Sequence, residues 1–159
     1  MDLGLRDRVF IVTGATCGLG RAAAGALVAD GARVVVSSRH GGNVRAAVER
    51  LGTASAEGIM ADNADPGTPA RLVEAAERRF GRIDGALISV GGPPPGSVLD
   101  STDEHWRAAF ESVFLGAVRL ARVVATRLET GGALAFVLSS SVRSPIPGLA
   151  ISNGLRPGL

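Results

Sequence analysis

Short apolar runs alternate along this chain with stretches in which apolar residues recur every three or four positions. RVFIV (8–12), ARVVVSS (32–38), AEGIMA (56–61), GALISV (85–90) and GALAFVLSS (132–140) read as strands. Each is nearly continuous in apolar residues, as strands covered on both faces of a parallel sheet are. Between them the spacing predicts helices. Residues 18–30 carry Leu19, Ala22, Ala23, Ala26 and Leu27 as one stripe and end at Gly31. Residues 43–51 carry Val44, Ala47, Val48 and Leu51 and stop at Gly52. A third helix has Thr68 as its expected N-cap, Pro69 in its first position and Gly81 at its close. Residues 101–104, STDE, form a capping-box pattern ahead of a long helix reaching about Leu128. Its stripe is Trp106, Ala109, Phe110, Val113, Ala117, Leu120 and Val124.

Regular alternation of strand and helix implies right-handed crossovers and a doubly wound parallel sheet, three layers deep with helices on both faces. In the order 3-2-1-4-5 the ligand crevice opens at the carboxyl ends of strands 1 and 4. A single α/β domain over residues 1–159 is expected, with no repeat and no low-complexity linker.

Composition narrows the function classes. The chain is 46% hydrophobic and holds 22 glycines and 8 prolines, a globular rather than disordered balance. No apolar run reaches the ~20 residues that cross a bilayer, so no membrane partner is expected. The opening MDLGLRDRVF lacks a signal peptide's uncharged stretch, and the single Cys17 cannot form an internal disulfide. Both point to the cytoplasm. All 17 basic residues are arginines, scattered along the chain, and the net charge is only +2. No basic run marks a nucleic-acid face, and none is expected. His40 and His105 lie far apart without ligand spacing, so no metal site is expected.

The strongest chemical signal is TGATCGLG, residues 13–20, between the first strand and an alanine-rich helix. Gly14, Gly18 and Gly20 let the chain turn sharply and bring its backbone close to a pyrophosphate. At a helix N-terminus, free N–H groups and the dipole favour such an anion. Thr16, Cys17 and Leu19 complete this loop, and Cys17 is small enough to face a phosphate. A tight strand-to-helix turn is the plainer alternative.

The TGxxxGxG spacing resembles that of the short-chain dehydrogenase/reductase family, and the likeness runs from RVFIVTG to the final SNGLR. It is most similar to an atypical branch related to β-ketoacyl carrier-protein reductases, with a GGP loop after strand 4. The resemblance implies a Rossmann-type fold, a nicotinamide dinucleotide, and a small-molecule carbonyl or alcohol substrate. Strand 2 ends VVVSSRHGG with no acid to accept ribose hydroxyls, and Arg39 can pair with a 2′-phosphate, so NADP(H) is expected over NAD(H). Arg21 adds positive charge nearby. An exposed surface arginine is the alternative for each. Asp62 matches the family aspartate that meets the adenine amino group, with Asn63 beside it; a loop-capping aspartate is the bland reading. Ser89-Val90-Gly91-Gly92 stands where the family carries Asn-Asn-Ala-Gly; Gly91 and Gly92 still let the backbone approach the ribose, and Pro93, Pro94 and Pro95 are expected to narrow the crevice rim.

Carried over position by position, the family's catalytic set is largely absent. Its serine falls on Ser139, its tyrosine on Ser152, its lysine on Arg156 and its helical asparagine on Val113. Serine is a far weaker acid than a phenol, and arginine holds its proton. Ser139, Ser152 and Arg156 could still stabilise an oxyanion while water supplies the proton; ordinary polar residues at a helix start are the alternative. The resemblance therefore implies an atypical NADP(H)-linked oxidoreductase, or a catalytically inactive dinucleotide-binding pseudoenzyme or association module. Family members continue beyond this point with further helices and strands. The chain thus reads as an incomplete domain, truncated after its fifth strand, whose apolar edge predicts a homo-oligomer or a covering partner chain.

Overall fold

Alternation within the strands decides the layers. The computed structural model of the chain describes residues 3–128 and 131–159. β1 (Val9–Thr13), β2 (Arg33–Ser38), β3 (Ala56–Met60), β4 (Gly85–Ser89) and β5 (Ala133–Val137) form one parallel sheet ordered β3-β2-β1-β4-β5. Val9, Ile11, Val35, Ala86 and Ile88 point to one face. There they meet Leu72, Val73 and Ala76 of α3 (Thr68–Phe80) and Ala117, Leu120 and Val124 of α5 (Gly116–Ala125). Phe10, Val12, Val34, Val36 and Leu87 point to the other, against Ala24 of α1 (Gly18–Ala29) and Ala47 of α2 (Gly41–Leu51). Two cores on either side of a parallel sheet are the Rossmann-type architecture that the pattern implied.

Several local expectations change. The stripe of α1 is not the one read from spacing: Leu19 is 69% exposed, and Ala22 and Ala26 are also exposed. The buried line is Gly20 and Ala24, because glycine lets the helix approach β1 more closely than any side chain would. A Cβ on Gly20 would lie 2.5 Å from the Gly14 carbonyl oxygen. At α3 the N-cap is Gly67, and Thr68 instead donates its hydroxyl to the Asp62 carbonyl at 2.6 Å. The expected capping box shifts by one residue. Thr102 is the cap of α4 (Asp103–Ala109), accepting from the His105 N–H, while Ser101 donates to the Ser97 carbonyl.

The long helix expected over 102–128 runs from Asp103 to Ala125 but is not α-helical throughout. Between α4 and α5 lies a π-helical segment, Phe110–Leu115, in which the Ser112 hydroxyl donates to the Ala108 carbonyl at 2.8 Å. Its extra residue per turn keeps Val113 in the core while Phe110 turns out, 42% exposed, and stacks on Phe114. β5 is shorter than expected and covered on one face only. Leu134 and Phe136 pack inward, Ala133 and Ala135 are exposed, and Ser139 already caps the 3₁₀ turn Ser140–Val142.

Side chains tie the sheet at both ends. At the amino ends, Asp84 accepts from the Val9 N–H and from the guanidinium groups of Arg8 and Arg82. At the carboxyl ends, the β1–β4 ladder stops at the pairing of Val12 with Leu87. The Thr13 hydroxyl continues it, donating to the Ser89 carbonyl at 2.8 Å and accepting from the Ser89 N–H at 2.9 Å.

Candidate functional site

A crevice of about 420 Å3 opens along the carboxyl edge of the sheet, within the range of cofactor and small-molecule sites. The local sequence explains its middle. Gly14 and Gly18 take positive φ angles of 59° and 54°, which bend the chain back from β1 into α1. The loop is held to β2 by the Ala15 N–H, which donates to the Ser37 carbonyl. Cys17 is the N-cap of α1 and makes no side-chain cap. The first-turn N–H groups of this 12-residue helix therefore face the crevice without an intrahelical partner. A Cβ built on Gly18, Gly91 or Gly92 would meet nothing within 4 Å, so open space lies against the backbone at all three.

Ten of the residues expected on the cofactor side line this one crevice: Gly14, Thr16, Cys17, Gly18, Leu19, Gly20, Arg39, Asp62, Asn63 and Gly91; Arg21 is exposed and lies outside its lining. Arg39 is exposed at the end of β2, beside Ser37 and Ser38, which also line the crevice. Asp62 caps its own loop, accepting from the Ala64 N–H at 3.0 Å, and still borders the crevice. Gly91 and Gly92 line the crevice, whereas Pro93, Pro94 and Pro95 lie outside the lining. Ser37, Ser38, Ser112 and Val137 also belong to the wall. Serines at the carboxyl end of an otherwise apolar strand were the available signal for the first two.

The three residues carried over as catalytic lie elsewhere. Ser139 accepts from the Ser141 N–H as cap of its turn. Ser152, only 6% exposed, has its hydroxyl 3.4 Å from that of Ser141, which is 2% exposed. The family resemblance places the serine at Ser139, with Ser140 and Ser141 only as its neighbours; the 3₁₀ turn brings Ser141 round towards α6 (Ala150–Leu155). Arg156 is 7% exposed. It donates from Nη1 to the Val137 carbonyl at 3.3 Å and from Nη2 to the Gly91 carbonyl at 3.2 Å. Burial pushes its guanidinium below its ordinary value, and Nε has no hydrogen-bond partner among the described residues. None of the three lines the crevice, although both partners of Arg156 do.

A parallel sheet whose glycine-rich first turn opens such a crevice defines a dinucleotide-binding class of Rossmann-type proteins. Within that class, a family model for short chain dehydrogenase matches residues 8–151, and the chain belongs to that family. It is 33% identical over 160 residues to an uncharacterized oxidoreductase of Methylorubrum extorquens, covering 98% of this chain and 64% of that protein. The L-sorbose reductase of Gluconobacter frateurii, solved with NADPH and L-sorbose, matches with a TM-score of 0.93 at 26% identity. That likeness covers all of this chain and 62% of the reductase. Against both, the chain spans less than two thirds of the other protein's length. The fold alone is shared with a 3-ketoacyl-(acyl-carrier-protein) reductase of Brucella melitensis, solved with NADH. There the TM-score is 0.91 at 23% identity, over 97% of this chain and 66% of that one. Among the described residues no helix is long and apolar enough to cross a membrane.

Proposed function

We propose that this chain binds a nicotinamide dinucleotide, NADP(H) in preference to NAD(H), as part of an oxidoreductase that interconverts a carbonyl and an alcohol. The observation carrying the reading is the crevice itself, with unpartnered N–H groups of α1 at its centre and Arg39 at its β2 end. The residues present fit such a group. The first turn of α1 would take the pyrophosphate, Arg39 with Ser37 and Ser38 a 2′-phosphate, and Asp62 the adenine edge. Gly91 and Gly92 leave room for the second nucleoside. When bound, the nicotinamide supplies or takes up the hydride of the redox step. On this reading Ser139, Ser152 and Arg156 stabilise the oxyanion and water provides the proton, although none of the three lines the crevice.

A second reading, binding without turnover, is favoured by one feature. Ser152 and Arg156 are buried and already bonded within the fold. In that case the exposed outer face of β5 is where a second copy or another chain attaches. A panel of carbonyl substrates separates the two: NADPH consumption with any of them supports the oxidoreductase, and binding without consumption supports the second reading.

The cofactor preference is tested by calorimetric titration with NADPH and NADH. NADPH is expected to bind more tightly, and Arg39→Gln to reduce that preference by about tenfold or more, the usual effect of losing a charge-assisted contact. Equal affinity of the unaltered chain for both would sink the NADP(H) preference. Binding of neither would sink the nucleotide reading.

A further inference from the structure

We propose that Arg156 is a positioning residue for the far half of the bound dinucleotide: its guanidinium ties the loop after β4 to the end of β5 and so fixes the width of the crevice there. The inference rests on the dinucleotide reading above. A dinucleotide lying across the sheet, with its pyrophosphate at α1, sends one nucleoside over β2 and β3 and the other over β4 and β5. The β2 side is shaped by residues that themselves line the crevice, Arg39 and Asp62. On the other side, Gly91 and Val137 are wall residues, and both of their carbonyls are taken by one arginine that does not itself line the crevice.

Two further features suit a brace. The planar guanidinium presents donors in a rigid fork, so one side chain reaches an acceptor on β5 and another on the loop after β4 at once; an ammonium on a flexible stem does not hold two such points in fixed geometry. The segment carrying Arg156 also grips the other end of the same loop. The Gly96 N–H donates to the Gly148 carbonyl at 2.7 Å, and the Ala150 N–H donates back to the Gly96 carbonyl at 3.1 Å. Residues 91–96, with their three prolines, are thus fastened at both ends to residues 148–156. Arg156 has no carboxylate partner among the ion pairs of the described residues. Its buried charge is met by peptide carbonyls, and those are the two wall residues.

The test compares NADPH with adenosine 2′,5′-bisphosphate, the half expected over β2 and β3, in calorimetric titrations of the chain and of Arg156→Met and Arg156→Lys. Both variants are expected to bind the bisphosphate within about twofold of the unaltered chain while losing about tenfold or more in NADPH affinity, the scale of lost hydrogen bonds to a charged group. Unchanged NADPH binding in the variants overturns the proposal. Full NADPH affinity in Arg156→Lys alongside a loss in Arg156→Met also overturns it, since charge and not the fork would then be at work. Loss of bisphosphate binding in both variants overturns it in favour of a general structural role. If the unaltered chain binds neither compound, the dinucleotide reading itself fails; if it binds both, only the role of Arg156 is at stake.

Discussion

Thr13 stands where the β1–β4 ladder ends. Its side chain occupies the place of a peptide group, pairing with both the N–H and the carbonyl of Ser89. Thr13 is fully buried, so no water replaces those bonds. Thr13→Val conserves shape and strands both backbone groups. It is expected to cost about 1–3 kcal/mol, read as a lower urea midpoint with unchanged m-value. The glycine loop beside it was legible in the sequence because its constraint is local: a turn and a close approach leave few residue types open. Ser141 was not legible. Nothing in a run of three serines says which hydroxyl a 3₁₀ turn will bring to Ser152, and the answer depends on where β5 stops.

At the scale of elements, the segment between β5 and α6 is organised by one amide. Asn153 donates to the Ile146 carbonyl at 2.9 Å and accepts from the Ile146 N–H at 3.1 Å, mimicking a strand partner for that residue. Asn153→Ala is expected to lower stability by about 1–3 kcal/mol in a chemical denaturation series, and Asn153→Asp, which keeps the acceptor but loses the donor, to fall in the same range. The five strands and the helices α1 to α3 were legible because their apolar periods are long and closed by glycines. The π segment was not. A single inserted residue leaves the apolar spacing on either side intact, so the stripe from Trp106 to Val124 still read as one helix. The stripe of α1 was legible only in part: Leu27 packs against the core as expected, but the buried line is Gly20 and Ala24, and hydrophobic patterning does not count a glycine.

On the scale of the whole molecule, the sheet is held at its amino end by Asp84. Burial alone would raise its carboxyl, but the Arg82 hydrogen bond, the Val9 N–H and Arg8 outweigh it and hold the group below its ordinary value of 3.8. A depressed folded-state value means stability that is present above that ordinary value and lost as pH falls through the folded one. Asp84→Asn is expected to be about 2 kcal/mol less stable at pH 7, the worth of charged hydrogen bonds. The gap should narrow in unfolding titrations below pH 3.8. A constant gap across that range would rule out the ionised carboxylate as its source. At the opposite edge, the partners of Arg156 are two peptide carbonyls, which every amino acid carries. The tie is therefore blind to the identity of residues 91 and 137. Substitutions there can repaint the wall of the crevice without loosening it, so its chemistry and its span are free to vary independently.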